Sequence, residues 1–79
     1  MGPVSQNVVG KRVKEARRHA QPPLTQEELS NKLAKLGVSI DRAGIAKIEM
    51  GIRGVLDFEV VALASSLAVK VTWLLGVKE

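Results

Sequence analysis

Apolar residues recur along the chain at helical spacing, and turn residues divide them into five segments. Val9, Val13 and Ala16 mark the inward side of a first helix expected over about Asn7 to His19, with Ser5 or Asn7 available to cap it and Pro22-Pro23 placed where a helix cannot continue. Thr25-Gln26-Glu27-Glu28 has the form of a capping box, with the threonine oxygen on the third amide and Glu28 reaching back to the Thr25 amide. It predicts a second helix whose stripe is Leu29, Leu33 and Leu36, stopped by a left-handed Gly37. Gly37 to Ile40 then reads as a turn. A third helix follows from an Asp41 N-cap to Met50, with Ile45 and Ile48 inward and Gly51 as its stop. A fourth helix is expected after Asp57 as N-cap, carrying Val60, Val61, Ala64 and Leu67, and a short fifth runs from about Val71 to Leu75, ending at Gly76. Gly44 lies inside the third helix, where glycine costs about 1 kcal/mol relative to alanine, so the close approach of another backbone is expected there. No strand pattern, repeat or low-complexity tract interrupts the reading. The pattern is that of an all-α, compact five-helix bundle: one domain over 1–79, with a core at about 8–76 and a loose tail at 1–6.

Composition narrows what such a bundle does. At 79 residues, 46% hydrophobic and 25% charged, the chain is an ordinary small globular domain without cysteine, which removes disulfides and thiolate metal sites. No apolar run reaches the roughly 18 residues that span a bilayer, and the first residues do not resemble a signal peptide, so a soluble, cytoplasmic protein is expected. Its net charge is +4, and the excess is uneven: residues 1–40 hold seven Lys/Arg against three acids, while residues 41–79 hold five of each. Lys11, Arg12, Lys14, Arg17 and Arg18 crowd one helix against Glu15 alone. A one-sided basic patch fits either a polyanion ligand or a solvated helix face. Phe58 and Trp73 are the only aromatics, too few to stack single-stranded bases, so any nucleic acid partner is expected to be duplex.

The second and third helices, joined by a short glycine-started turn, have the form of a helix-turn-helix pair. The residues carry the reading further. Gly10-Lys-Arg-Val-Lys-Glu-Ala-Arg17, Leu24-Thr-Gln-Glu-Glu-Leu29, Ile45-Ala-Lys-Ile-Glu49 with Gly51, Leu63-Ala64 with Leu67, and Val71-Thr-Trp-Leu-Leu-Gly76 follow one another in that order. Together they resemble the lambda repressor/Cro-like (XRE) helix-turn-helix family over about residues 8–76. The stretch from Leu33 to Ile45 is longer than in the shortest members. The outer side of the third helix is also bare, with Ala43, Gly44 and Ala46 where members often carry Ser, Thr, Gln or Asn.

The resemblance implies sequence-specific binding of double-stranded DNA by a repressor-type transcriptional regulator, with the third helix in the major groove. Arg42 and Lys47 are then expected at base edges or phosphates, Ala43 and Ala46 against thymine methyls, and Gly44 as the position that lets the helix sit deep. Thr25 and Gln26 are expected at a phosphate beside the groove, and Arg53, Lys11 and Arg12 on the sugar–phosphate backbone. The resemblance further implies that Glu49 pairs with Arg17 as a structural ion pair. Trp73, Leu74 and Leu75 read either as core closure or as the seam of a homodimer. His19, alone, makes no metal site, and nothing points to catalysis or a cofactor: the serines have no evident base and there is no glycine-rich phosphate loop. A protein-interaction module such as an antitoxin or co-regulator is the rival reading, favoured by the bare third helix; RNA binding is disfavoured by the missing aromatics.

Overall fold

A computed structural model describes residues 4–77. The order is α1 (Val4–His19), α2 (Gln26–Lys35), α3 (Arg42–Glu49), α4 (Asp57–Leu67) and α5 (Val71–Leu74), with no strand among the described residues. The radius of gyration, 11.4 Å, is close to the ~12 Å of a folded chain of this length. No helix is long and apolar enough to cross a membrane. α1 starts at Val4, three residues before the expected Asn7; residues 1–3 of the expected tail, and the capping side chains of Ser5 and Asn7, lie outside what the structure describes.

One core serves all five helices. Val13, Leu29, Leu33, Ile45, Ile48, Leu63 and Leu74 have almost no exposure. α1 crosses α3 at Gly10, where a Cβ would collide with the carbonyl oxygen of Ile48 and stand 3.3 Å from that of Glu49. The close backbone approach expected at Gly44 is therefore made at Gly10. At Gly44 a Cβ would instead meet side chains, Ile40 Cγ2 at 2.9 Å and Asp41 Oδ1 at 3.1 Å.

Several inward assignments change because helix packing, rather than periodicity, decides which side is covered. Leu36 and Val61, expected inside, are 52% and 58% exposed, whereas Ala62 and Leu63 face the core. The N-cap of α4 is Leu56 and not Asp57: Glu59 Oε1 accepts from the Leu56 amide at 3.0 Å, which moves the helix start one residue earlier.

The helices after α1 share one kind of ending. The amides of Gly37 and Val38 bond back to Ala34 and Leu33, those of Gly51 and Ile52 to Ile48 and Lys47, those of Ala68 and Val69 to Ser65 and Ala64, and those of Gly76 and Val77 to Trp73 and Thr72. Each is a Schellman pair, closed by one left-handed residue. Three of these residues are glycines; the fourth is Ala68, at φ 58°. An L-residue pays roughly 1–2 kcal/mol in that conformation, partly offset by the extra freedom glycine has when unfolded. Ala68→Gly is expected to stabilise the fold by about 0.5–1 kcal/mol, raising Tm by several degrees in a thermal melt. An unchanged or lower Tm would contradict this account of the α4 ending.

Candidate nucleic-acid interface

The placement of α3 starts from its neighbours. The α2 ending turns the chain at Gly37, Val38 and Ile40 are buried, and Ser30 Oγ donates to the Ile40 carbonyl at 2.6 Å. The link of residues 36–41 is thus pinned from both sides. Asp41 then caps α3, its Oδ1 accepting from the Gly44 amide at 2.8 Å. With Ile45 and Ile48 buried, Arg42, Ala43 and Lys47 are left exposed, and Gly44 and Ala46 half-buried. Ala43, Lys47 and Met50 share one outward line at helical spacing, and Met50 is 64% exposed. The position of Met50 at the helix end gives no burial signal in the sequence.

Glu49, the only acid on α3, is withdrawn from this surface. Its side chain is 4% exposed and is gripped by Arg17, whose Nε donates to Oε2 at 2.8 Å and whose Nη2 donates to Oε1 at 3.0 Å. Gln26 Nε2 adds a third bond to Oε1 at 3.0 Å, and Arg17 Nη1 donates to the Leu24 carbonyl at 3.0 Å. This network ties α1, the start of α2 and the end of α3 together. Gln26 is therefore anchored to α3. Thr25 Oγ1 accepts from the Glu28 amide at 3.0 Å, completing the capping box, and keeps its own proton to donate. Thr25 and Gln26, with Arg17 and Arg42, line a shallow concavity beside α3.

A second cleft lies between α1 and the end of α3, lined by Lys11, Lys14, Glu15, Arg18, His19 and Glu49. Lys11, Lys14 and Arg18 follow one another at helical spacing on one side of α1. The cleft is cationic because Glu49 is already neutralised by Arg17.

Two expected backbone contacts receive other tasks. The Arg12 guanidinium lies 4.8 Å from the centre of the Trp73 ring, so it stacks on α5. Arg53 is held by Glu59: Nη1 donates to Oε1 at 3.0 Å and Nη2 to Oε2 at 2.9 Å, while Nη1 also donates to the Gly54 carbonyl at 2.9 Å. Arg53, expected on a sugar–phosphate backbone, is thus a clasp between the α3–α4 loop and the first turn of α4. The expected seam also divides. Leu74 is fully buried, Trp73 is half-buried beneath Arg12, and only Leu75, at 44%, is exposed. Besides Met50, the larger exposed apolar positions are Ile52, Leu56, Phe58 and Val61, between 56% and 70%.

The Arg53 clasp sets a pH dependence. The hydrogen bonds from Arg53, helped by the Leu56 amide and working against burial, hold the Glu59 carboxyl below the usual glutamate range. The Arg53 guanidinium is raised in turn, chiefly by the same hydrogen bonds, and stays charged throughout. A carboxyl depressed in the folded state stabilises it above the ordinary glutamate pKa and loses that contribution as pH falls through the folded value. Urea unfolding followed from about pH 7 down to 3 is expected to show a decline that is shallower in Glu59→Gln, because this variant has already lost the titrating group. Parallel declines in the two proteins would remove the clasp from the account.

No family model matches the chain, and no curated protein or solved structure compared with it is significantly similar.

Proposed function

We propose that the chain is a sequence-specific, double-stranded DNA-binding domain of a transcriptional regulator, of repressor type, built on the lambda repressor/Cro-like plan. In this reading α2 and α3 form the helix-turn-helix and α3 enters the major groove. One observation carries it: the outer side of α3 presents Arg42 and Lys47 to solvent while the only carboxylate of that helix is consumed by Arg17 and Gln26. Asp41 caps the Gly44 amide, and the exposed Glu27 shares the concavity at the start of α2 with Arg42. An α-helix with its side chains is about 10–12 Å across, which the ~12 Å width of the major groove admits. The cationic cleft of Lys11, Lys14 and Arg18 supplies charge for the phosphate rail on the α1 side.

A homodimer completes the reading, since two half-sites multiply the contacts of so small a reader. The exposed Phe58 and Val61, three residues apart on α4, with the exposed cap residue Leu56, offer the better seam face, given that Leu74 belongs to the core. The same face is what favours the second reading, a protein-interaction module with little DNA recognition.

Titration of the protein with random-sequence duplex at two salt concentrations separates the two. DNA binding is expected to weaken with salt by about 0.9 log units per log unit of salt for each phosphate neutralised. An absence of binding at low salt would sink the DNA reading. On a duplex enriched from a random pool, Arg42→Ala is expected to flatten the preference over random duplex, whereas Lys14→Ala weakens both alike. Equal losses in the two variants would place Arg42 on phosphate.

A further inference from the structure

The side chains on the outside of α3 are unusual for a reader of base edges, and this bears on which bases it reads; the point rests on the duplex reading above. α3 carries no Ser, Thr, Asn or Gln. Adenine is ordinarily recognised by a bidentate amide, and no such amide is present on this helix. What the outward surface offers instead is two cations, Arg42 and Lys47, set among Ala43, the half-buried Ala46, and Met50 at 64% exposure.

The mixture itself selects the occupant. An apolar protein surface laid on this side of α3 would bury Arg42 and Lys47 without partners, which is costly. A major groove answers both components. Its rails are phosphates and its guanines accept from Arg or Lys, while the only apolar group on its floor is the C5-methyl of a pyrimidine. We infer that α3 recognises C5-methylated pyrimidines, with Met50 and Ala43 covering the methyl groups and Met50 the residue that sets the preference. Thymine supplies this methyl in an A·T pair, and 5-methylcytosine supplies it in a G·C pair beside the guanine that Arg42 or Lys47 can hold.

Removing one methyl from the floor removes about one buried carbon, so the expected loss is roughly fourfold in affinity for each methyl covered. The experiment begins with a duplex enriched from a random thymine-containing pool. That duplex is resynthesised with uracil in place of each thymine in turn, which deletes the methyl and leaves the pairing intact. At one or two positions per half-site, affinity is expected to fall about fourfold. At the same positions, a change to a C·G pair followed by 5-methylation of that cytosine is expected to recover the methyl's share, and this arm shows whether either source of the methyl is accepted. Met50→Ala, checked for helix content by circular dichroism, is expected to bind the thymine and uracil forms equally at one of those positions. An enriched duplex that the wild-type protein prefers over random sequence, yet binds alike with thymine or uracil everywhere, overturns the inference while leaving the DNA reading standing. So does a Met50→Ala protein that keeps the full thymine preference. Failure to enrich or bind any duplex removes both together.

Discussion

Replacing Arg17 with alanine is expected to cost about 3–5 kcal/mol, a large part of the stability of a domain this small. Surface ion pairs are worth little, so the magnitude comes from burial. The Glu49 side chain is 4% exposed, and two of its three hydrogen bonds come from Arg17. Without Arg17 the carboxylate keeps only Gln26, and the Leu24 carbonyl loses a donor as well. At roughly 4–8 °C per kcal/mol for a domain of this size, Tm should fall by more than ~12 °C. A loss below about 1 kcal/mol in urea unfolding would show the pair to be a surface contact. Arg17→Met combined with Glu49→Leu leaves no unmatched charge in this network, so the double variant is expected to recover much of the loss.

The second large effect is expected at Gly10. Gly10→Ala places a methyl against the carbonyl oxygen of Ile48, which is backbone and cannot rotate away. α1 must lift from α3, and the expected cost is about 2–3 kcal/mol. The same lift loosens the Arg17–Glu49 grip seven residues further along α1, so on the proposed reading affinity for duplex is expected to fall with stability. Gly54→Ala is the control: its Cβ meets nothing within 4 Å, and little change is expected. Similar unfolding curves for the two variants would mean that the helix crossing tolerates a wider spacing.

What could be read from the residues alone follows from how local the cause is. Thr25 with Glu28, Asp41, Gly37, Gly51 and Gly76 each act within a turn of their own helix, and the boundaries they predict are those observed within a residue. The ending at Ala68 gives no such signal, because alanine in a left-handed conformation is imposed by the surrounding chain. Asp57 looks like a cap in isolation. Glu59 is pulled toward Arg53 and takes the Leu56 amide, and this shifts the start of α4. The contacts of Arg53 and Arg12 leave no local signal, because their partners, Glu59 and Trp73, come within reach only after the loop folds back at Gly51 and α5 docks on α1. Val61 and Leu36 carry apolar side chains at helical spacing yet stay exposed, since spacing identifies a stripe and neighbouring helices decide how wide a stripe they cover. The pairing of Arg17 with Glu49, 32 residues apart, was implied by family resemblance and not by any local pattern.

The stacking of Arg12 on Trp73 gives the chain a built-in optical reporter. Trp73 is its only tryptophan and there is no tyrosine, so intrinsic emission comes from one indole held under a guanidinium at the α1–α5 contact. Arg12 and Arg17 are five residues apart, roughly 140° around α1, which sets the indole on a different side of that helix from the Glu49 network. Its emission therefore registers the undocking of the C-terminal turn while events at α3 leave it nearly silent.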